Sequence, residues 1–141
     1  MKKRIIFLTF CTIMLLSGCQ STDQKSVLSQ QSSDIQELKL AEFIGLASYN
    51  GHYEKEYTKK EDVNIFKKGF QQAETKNYDL NKYDYNLRIT LSDETNRELH
   101  LTKTDNNEIV LKYIGDNPDT LVIDSKHAKN IIELIYKEAG T

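Results

Sequence analysis

The chain has 141 residues, with 19 Lys and Arg against 21 Asp and Glu, and 38% of it is hydrophobic. That length suits one domain with a short extension. The slightly acidic balance, with Lys and Glu mixed along the chain and no basic run outside the first four residues, argues against nucleic acid as a partner.

The N-terminus reads Met1-Lys2-Lys3-Arg4, followed by an apolar run from Ile5 to Leu16 broken only by Thr9 and Thr12. A cationic start before a largely apolar run of 12 residues is the order of a secretory signal. The run is too short for a permanent span, which takes about 20 residues. Leu16-Ser17-Gly18-Cys19 comes next and resembles the lipobox of bacterial lipoproteins. The resemblance implies cleavage after Gly18, a diacylglyceryl group on Cys19, and residence on the outer face of the cell membrane. Cleavage would remove Lys2, Lys3 and Arg4, leaving 16 basic against 21 acidic residues, a formal charge of −5. Cys11 would leave with the signal and Cys19 would carry lipid, so the mature chain would have no disulfide.

Residues 1–18 are thus expected to be a signal peptide, 19–36 a lipidated Cys19 with a flexible Ser- and Gln-rich tether, and 37–141 a single α+β domain. Leu38, Leu40, Phe43, Ile44 and Leu46 suggest a strand running to about Tyr49. Asn50-Gly51 after it reads as a type I′ hairpin turn, with a return strand from His52 to Tyr57 that puts Tyr53, Lys55 and Tyr57 on one face. Thr58-Lys59-Lys60-Glu61 reads as a capping box. The helix it opens runs to about Glu74, with Val63, Phe66, Phe70 and Ala73 as its apolar stripe.

Period-two alternation then marks strands at Tyr85–Leu91, around Leu99–Leu101, and at Ile109–Tyr113, with a short one at Thr120–Ile123. The breaks between them are rich in Asp, Asn and Ser. Ser125, beside Asp124, reads as the N-cap of a closing helix carrying Ala128, Ile131, Ile132, Ile135 and Ala139, with Gly140 as a C-cap. The order β-β-α-β-β-β-β-α predicts an antiparallel sheet of about five to six strands with two helices on one face.

Three stretches, Glu61-Asp62-Val63-Asn64-Ile65-Phe66, Asp84-Tyr85-Asn86-Leu87-Arg88-Ile89 and Asp124-Ser125, resemble the YhfM-like small lipoproteins of Gram-positive bacteria. The resemblance spans roughly residues 38 to 136 and implies a lipoprotein of unknown biochemical role, with no catalytic residues to carry over.

Sites of chemistry are sparse. His52, His100 and His127 stand apart from one another at no zinc spacing and read as surface histidines. Asp105-Asn106-Asn107-Glu108 and Asp116-Asn117-Pro118-Asp119 are oxygen-rich but lack the order of a calcium loop. They read as turns, and no metal or cofactor is expected. There is no Gly-x-Ser-x-Gly or Ser-x-x-Lys motif, and Asp93-Glu94 reads as solvated. The tyrosines cluster instead. Tyr49, Tyr53, Tyr57, Tyr78 and Tyr83 are candidates for one recognition surface, because Tyr joins an apolar face to a polar tip. The expected function is a non-catalytic binding module at the cell envelope, not an enzyme. It would be a monomer that meets the membrane through the Cys19 lipid and takes an envelope protein or cell-wall component as partner. The alternative is an inhibitor or immunity-type protein directed at a secreted enzyme or toxin.

Overall fold

The computed structural model describes residues 26–115 and 119–137. The signal segment, Cys19, the start of the tether, most of the turn at 116–118 and the Gly140 cap lie outside the described residues. Among the described residues no helix is long and apolar enough to cross a membrane.

The described residues from Ser26 onward are already part of the fold, eleven positions before the expected domain start at residue 37. A one-turn helix α1 (Val27–Gln31) and a 3₁₀ turn (Ser32–Asp34) lead directly into strand β1 (Ile35–Glu42). Ser26 caps α1 by accepting from Ser29 N and donates its hydroxyl to Ala73 O at 3.1 Å. Ser29 Oγ donates to Gln71 O at 2.8 Å, and Ser32 Oγ to Ser29 O at 2.8 Å. Leu28 is 0% exposed in the main core. Composition misleads here because a serine hydroxyl serves a solvated linker and a buried cap equally well.

Seven strands form one antiparallel sheet: β1, β2 (Tyr53–Tyr57), β3 (Glu74–Thr75), β4 (Tyr85–Leu91), β5 (Asn96–Lys103), β6 (Ile109–Tyr113) and β7 (Thr120–Ile123), in the order β2-β1-β4-β5-β6-β7-β3. Helix α2 (Lys60–Phe70) therefore has to cross the sheet from edge strand β2 to the opposite edge β3. It packs beside α3 (Ser125–Tyr136) on the same face. The α+β class, the antiparallel sheet and the two main helices on one face agree with the sequence expectation. The additional strand, β3, is two residues long and has no alternation to read.

The helix-covered face is a continuous apolar layer. Leu38, Leu40, Leu87, Ile89, Leu99, Leu101, Ile109, Leu111, Leu121 and Ile123 meet Val63, Phe66, Phe70, Ala128, Ile131 and Ile135. Gly69 lets the two helices approach closely, since a Cβ there would lie 2.4 Å from Ile131 Cδ1.

Local details differ from the sequence reading in three places. The link from β1 to β2 is a ten-residue loop, 43–52, rather than a two-residue turn. Gly51 does not take a positive φ. Asn50 works through its side chain, accepting from His52 N at 3.0 Å and donating to Glu42 O at 3.1 Å. At α2 the N-cap is Lys59 with no side-chain cap bond, so the Thr58–Glu61 box does not form. Glu61 and Asp62 in the first turn and Lys67 and Lys68 in the last still complement the helix dipole. At α3 the N-cap is Asp124 rather than Ser125: Asp124 Oδ1 accepts from His127 N at 3.1 Å, and Oδ2 lies 2.7 Å from His127 Nδ1. Asp124→Ala is expected to lower stability by about 1 kcal/mol, read as a shifted urea midpoint at constant slope, whereas Ser125→Ala should leave the midpoint near wild type.

The second sheet face carries Asn86, Arg88, His100, Thr102, Val110 and Val122, as the strand registers require. Loops 43–52 and 76–84 supply its cover. Phe43, Tyr78, Leu80 and Tyr83 gather there over Val110 and Val122 as a smaller apolar cluster.

Candidate functional site

Where β1 ends and β4 begins, the two loops and the last turn of α3 leave a cavity of about 330 Å³, lined by Glu42, Phe43, Lys82, Tyr83, Asp84, Tyr85 and Tyr136. Such a volume lies at the lower end of small-molecule sites.

Asp84 is the fixed point of this cavity. Its backbone carbonyl accepts from Phe43 N at 3.3 Å, and its own N–H donates to Leu101 O at 3.0 Å, which ties the residue into the sheet just before β4. Its carboxylate Oδ2 accepts three hydrogen bonds: from Tyr136 Oη at 2.6 Å, Thr102 Oγ1 at 2.8 Å and Lys103 N at 3.2 Å. Among the described residues no donor reaches Oδ1. One oxygen therefore fixes the orientation of the group, and the other is left without a donor among the described residues.

Tyr136 sits edge-on to Tyr85, with ring centroids 5.7 Å apart. Burial, reinforced by the bond to Asp84, raises its phenol well above the ordinary tyrosine value, so it remains a donor at any ordinary assay pH. Lys55 steadies the same corner: its Nζ donates to Ile135 O at 2.6 Å near the end of α3 and lies 5.5 Å from the centre of the Tyr85 ring. Tyr83 is buried behind Phe43, with its ring centre 5.9 Å from that of Phe43, and burial raises its phenol too.

The five tyrosines proposed from sequence do not form one surface. Between Leu40 and Ala41 the β1–β2 register shifts. Leu38 faces Tyr57 and Leu40 faces Lys55 on the helix side, but Ala41 faces Tyr53. A bulge of this kind moves the next side chain to the other face. Tyr57 is accordingly buried against Phe66, its hydroxyl 3.4 Å from Leu134 O and its phenol pushed up to about 12 by burial. Tyr53 instead joins Tyr49 on the opposite face, the two hydroxyls hydrogen-bonded to each other. The Arg88 guanidinium lies 4.8 Å from the Tyr49 ring centre and 5.5 Å from that of Tyr53, held by Glu98 at 2.7 Å. Tyr78 packs against the Tyr83 cluster, and its carbonyl lies 3.4 Å from Thr120 Oγ1. The two loops do meet, but through Phe43 and Tyr83.

His100 also departs from expectation. It is fully buried rather than on a wet strand face, because the two loops cover that face. Among the described residues no three His, Cys, Asp or Glu side chains gather as a metal site. Asp105-Asn106-Asn107-Glu108 forms the β5–β6 turn, with Asn107 at φ +58° and its N–H on Thr104 O.

In the sequence Asp84 figures only as the start of the stretch Asp84-Tyr85-Asn86-Leu87-Arg88-Ile89, and no motif marks Tyr136. Their meeting depends on how α3 crosses the sheet.

No protein family matches the chain, and no curated protein does. Among solved structures, the fold is similar to that of a thioesterase-like protein from Clostridium sporogenes, with a TM-score of 0.60 and 13% identity, over 75% of this chain and 98% of that one. The likeness is one of fold. It overturns the expectation of a non-catalytic binding module or inhibitor, and with it the exclusion of an enzyme. Those expectations rested on missing nucleophile motifs, and a carboxylate that activates water needs no such motif.

Proposed function

We propose that the domain hydrolyses a small acyl thioester or ester in the cavity beside Asp84. The observation that carries this is the exposed Asp84 carboxylate, held through Oδ2 by three donors and belonging to a residue that lines the cavity. The fold shared with a thioesterase-like protein supports the choice of reaction. Water hydrogen-bonded to Oδ1 attacks the acyl carbon as Asp84 takes its proton, and the carbonyl electron pair moves to oxygen. Lys82 at the rim supplies positive charge for that oxyanion. Collapse breaks the bond to sulfur or oxygen, and the leaving group departs with the proton from Asp84. Phe43, Tyr83 and Tyr85 give the acyl group an apolar wall.

A panel of acyl p-nitrophenyl esters and acyl thioesters of N-acetylcysteamine, from acetyl to octanoyl, tests the reading. Turnover above buffer that is lost in Asp84→Asn is expected. No turnover with any member, or equal turnover by the variant, would overturn it.

We propose as well that the protein works at the outer membrane face, held by a lipid on Cys19. The cationic start, the 12-residue apolar run and Leu16-Ser17-Gly18-Cys19 support this. Cys19→Ala is expected to move the protein from the membrane to the soluble fraction and to lose the acyl mass from the intact chain. A variant that stays with the membrane would count against the anchor.

A further inference from the structure

One buried titratable side chain has no part in the proposed reaction. His100 lies on β5 beneath the loops. Its Nε2 is 2.9 Å from Leu46 O and its Nδ1 is 2.7 Å from Asn86 Oδ1. Phe43 meets the ring edge-on at 5.0 Å, and the Tyr83 ring lies against it at 5.3 Å. Phe43 and Tyr83 are two walls of the cavity.

Loop 43–52 is fastened at its start by Phe43 N on Asp84 O and toward its end by Tyr49, which is bonded to Tyr53 and lies on Arg88. Ile44 and Leu46 are 57% and 40% exposed, so their side chains contribute little burial. Gly45 turns the chain at φ +144°, a region that side chains rarely enter. Between these, the middle is held by the Phe43 ring and by the hydrogen bond that His100 Nε2 donates to Leu46 O, and Asn50 ties the outer end to Glu42.

A carbonyl only accepts, so Nε2 must carry a proton in every state of this bond. The state of Nδ1 is free to change. When neutral it accepts from the Asn86 amide, and when protonated it donates to Asn86 Oδ1. The two ends of that amide exchange by rotation. With Oδ1 toward the ring, Asn86 Nδ2 is buried without a partner among the described residues. The second proton breaks no bond. It places a cation among Phe43, Tyr83 and the sheet, opposite Lys112 on β6. The charged groups farther along the same face are Arg88 on β4 and Glu98 on β5, already paired with each other; from loop 76–84, Tyr83 lies against the ring, Asp79 acts on Tyr83, and Asp84 is bonded to Thr102 on this face.

We propose that His100 is a positioning residue that fastens loop 43–52 over the sheet, fixes the Phe43–Tyr83 wall of the cavity, and loosens its hold on taking up a second proton. The functional weight of the wall rests on the hydrolase reading, but the latch does not. Burial, opposed by the Leu46 bond and aided by Lys112, holds the His100 imidazole below its ordinary value of 6.5. The unfolded chain therefore takes up this proton first as pH falls. The stability linked to neutral His100 is complete above about pH 6.5 and declines below it, until the folded group itself titrates.

Hydrogen exchange read by mass spectrometry on the intact chain at about pH 5 and about pH 7.5, corrected for the intrinsic pH dependence, tests this. In wild type, peptides covering 43–52 should exchange about fivefold faster at the lower pH relative to β4, because opening the loop returns the buried imidazolium to water. His100→Gln, whose amide can donate to Leu46 O and does not titrate, should keep the loop protected with a flat profile. His100→Phe should release the loop at both pH values. Equal pH profiles for wild type and His100→Gln, or an undisturbed loop in His100→Phe, would overturn the latch. Should His100→Phe lose protection in β4 as well, the wild-type and Gln profiles decide alone. None of these rates depends on hydrolysis, so failure of the hydrolase reading would leave them unchanged.

Discussion

Asp84→Asn should cut acyl hydrolysis by about 10²- to 10⁴-fold, the usual weight of a positioned general base, with the folded structure retained. The substitution is close to isosteric. An amide oxygen turned toward Tyr136, Thr102 and Lys103 N can accept the same three bonds that Oδ2 accepts now. What the amide cannot do is take a proton from water. Loss of turnover with an unchanged thermal midpoint would therefore separate chemistry from folding. Tyr136→Phe makes the complementary comparison. It removes the shortest of the three bonds, at 2.6 Å, but leaves the carboxylate able to act as base, so its loss should be smaller than that of Asp84→Asn. Should the two variants be reversed in order, Tyr136 rather than Asp84 would be the group in contact with the reacting atoms.

The second large effect is expected far from the cavity. Leu28→Ala should destabilise the fold by about 2–5 kcal/mol, as for other fully buried leucines. The side chain is 0% exposed and belongs to the same cluster as Leu38, Phe66 and Ile135. Neighbouring Val27, 55% exposed, provides the control: Val27→Ala should stay within about 0.5 kcal/mol of wild type. Equilibrium urea unfolding measures both. Were Leu28→Ala as mild as Val27→Ala, residues 26–34 would be a tether after all and not part of the fold.

The architecture was readable because its signals are periodic. Leu87, Ile89 and Leu91 alternate with Asn86, Arg88 and Thr90, and Val63, Phe66 and Phe70 repeat at helical spacing, and each pattern has one face to bury. Features set by single residues or by distant partners were not readable in the same way. The bulge at Leu40/Ala41 leaves the composition untouched, yet it sends Tyr53 and Tyr57 to opposite faces. Ser26 and Ser29 look like linker residues until Ala73 and Gln71 supply acceptors more than 40 positions away. His100 alternates with Leu99 and Leu101 as a polar-face residue should, and it is buried only because loops 43–52 and 76–84 fold over that face. Asp84 and Tyr136 are 52 positions apart in sequence, and no local pattern announces their bond.

Given the proposed lipid on Cys19, the place of Ser26 in the fold would also set which end of the domain faces the membrane. Ile35 pairs with Leu91 at one end of the β1–β4 ladder, and Glu42 pairs with Tyr85 at the other. The α1 entry leads into the first end, and the cavity lies at the second. Cys19 lies seven positions before Ser26, and seven residues of any conformation span at most about 25 Å. With Cys19 lipidated as proposed, the domain is moored by its α1 pole, and the eight residues of β1, at about 3.3 Å each, carry the Asp84 cavity to the remote pole. A short mooring allows little tumbling, so the cavity would draw its substrate from the aqueous side of the envelope rather than from acyl chains in the bilayer below.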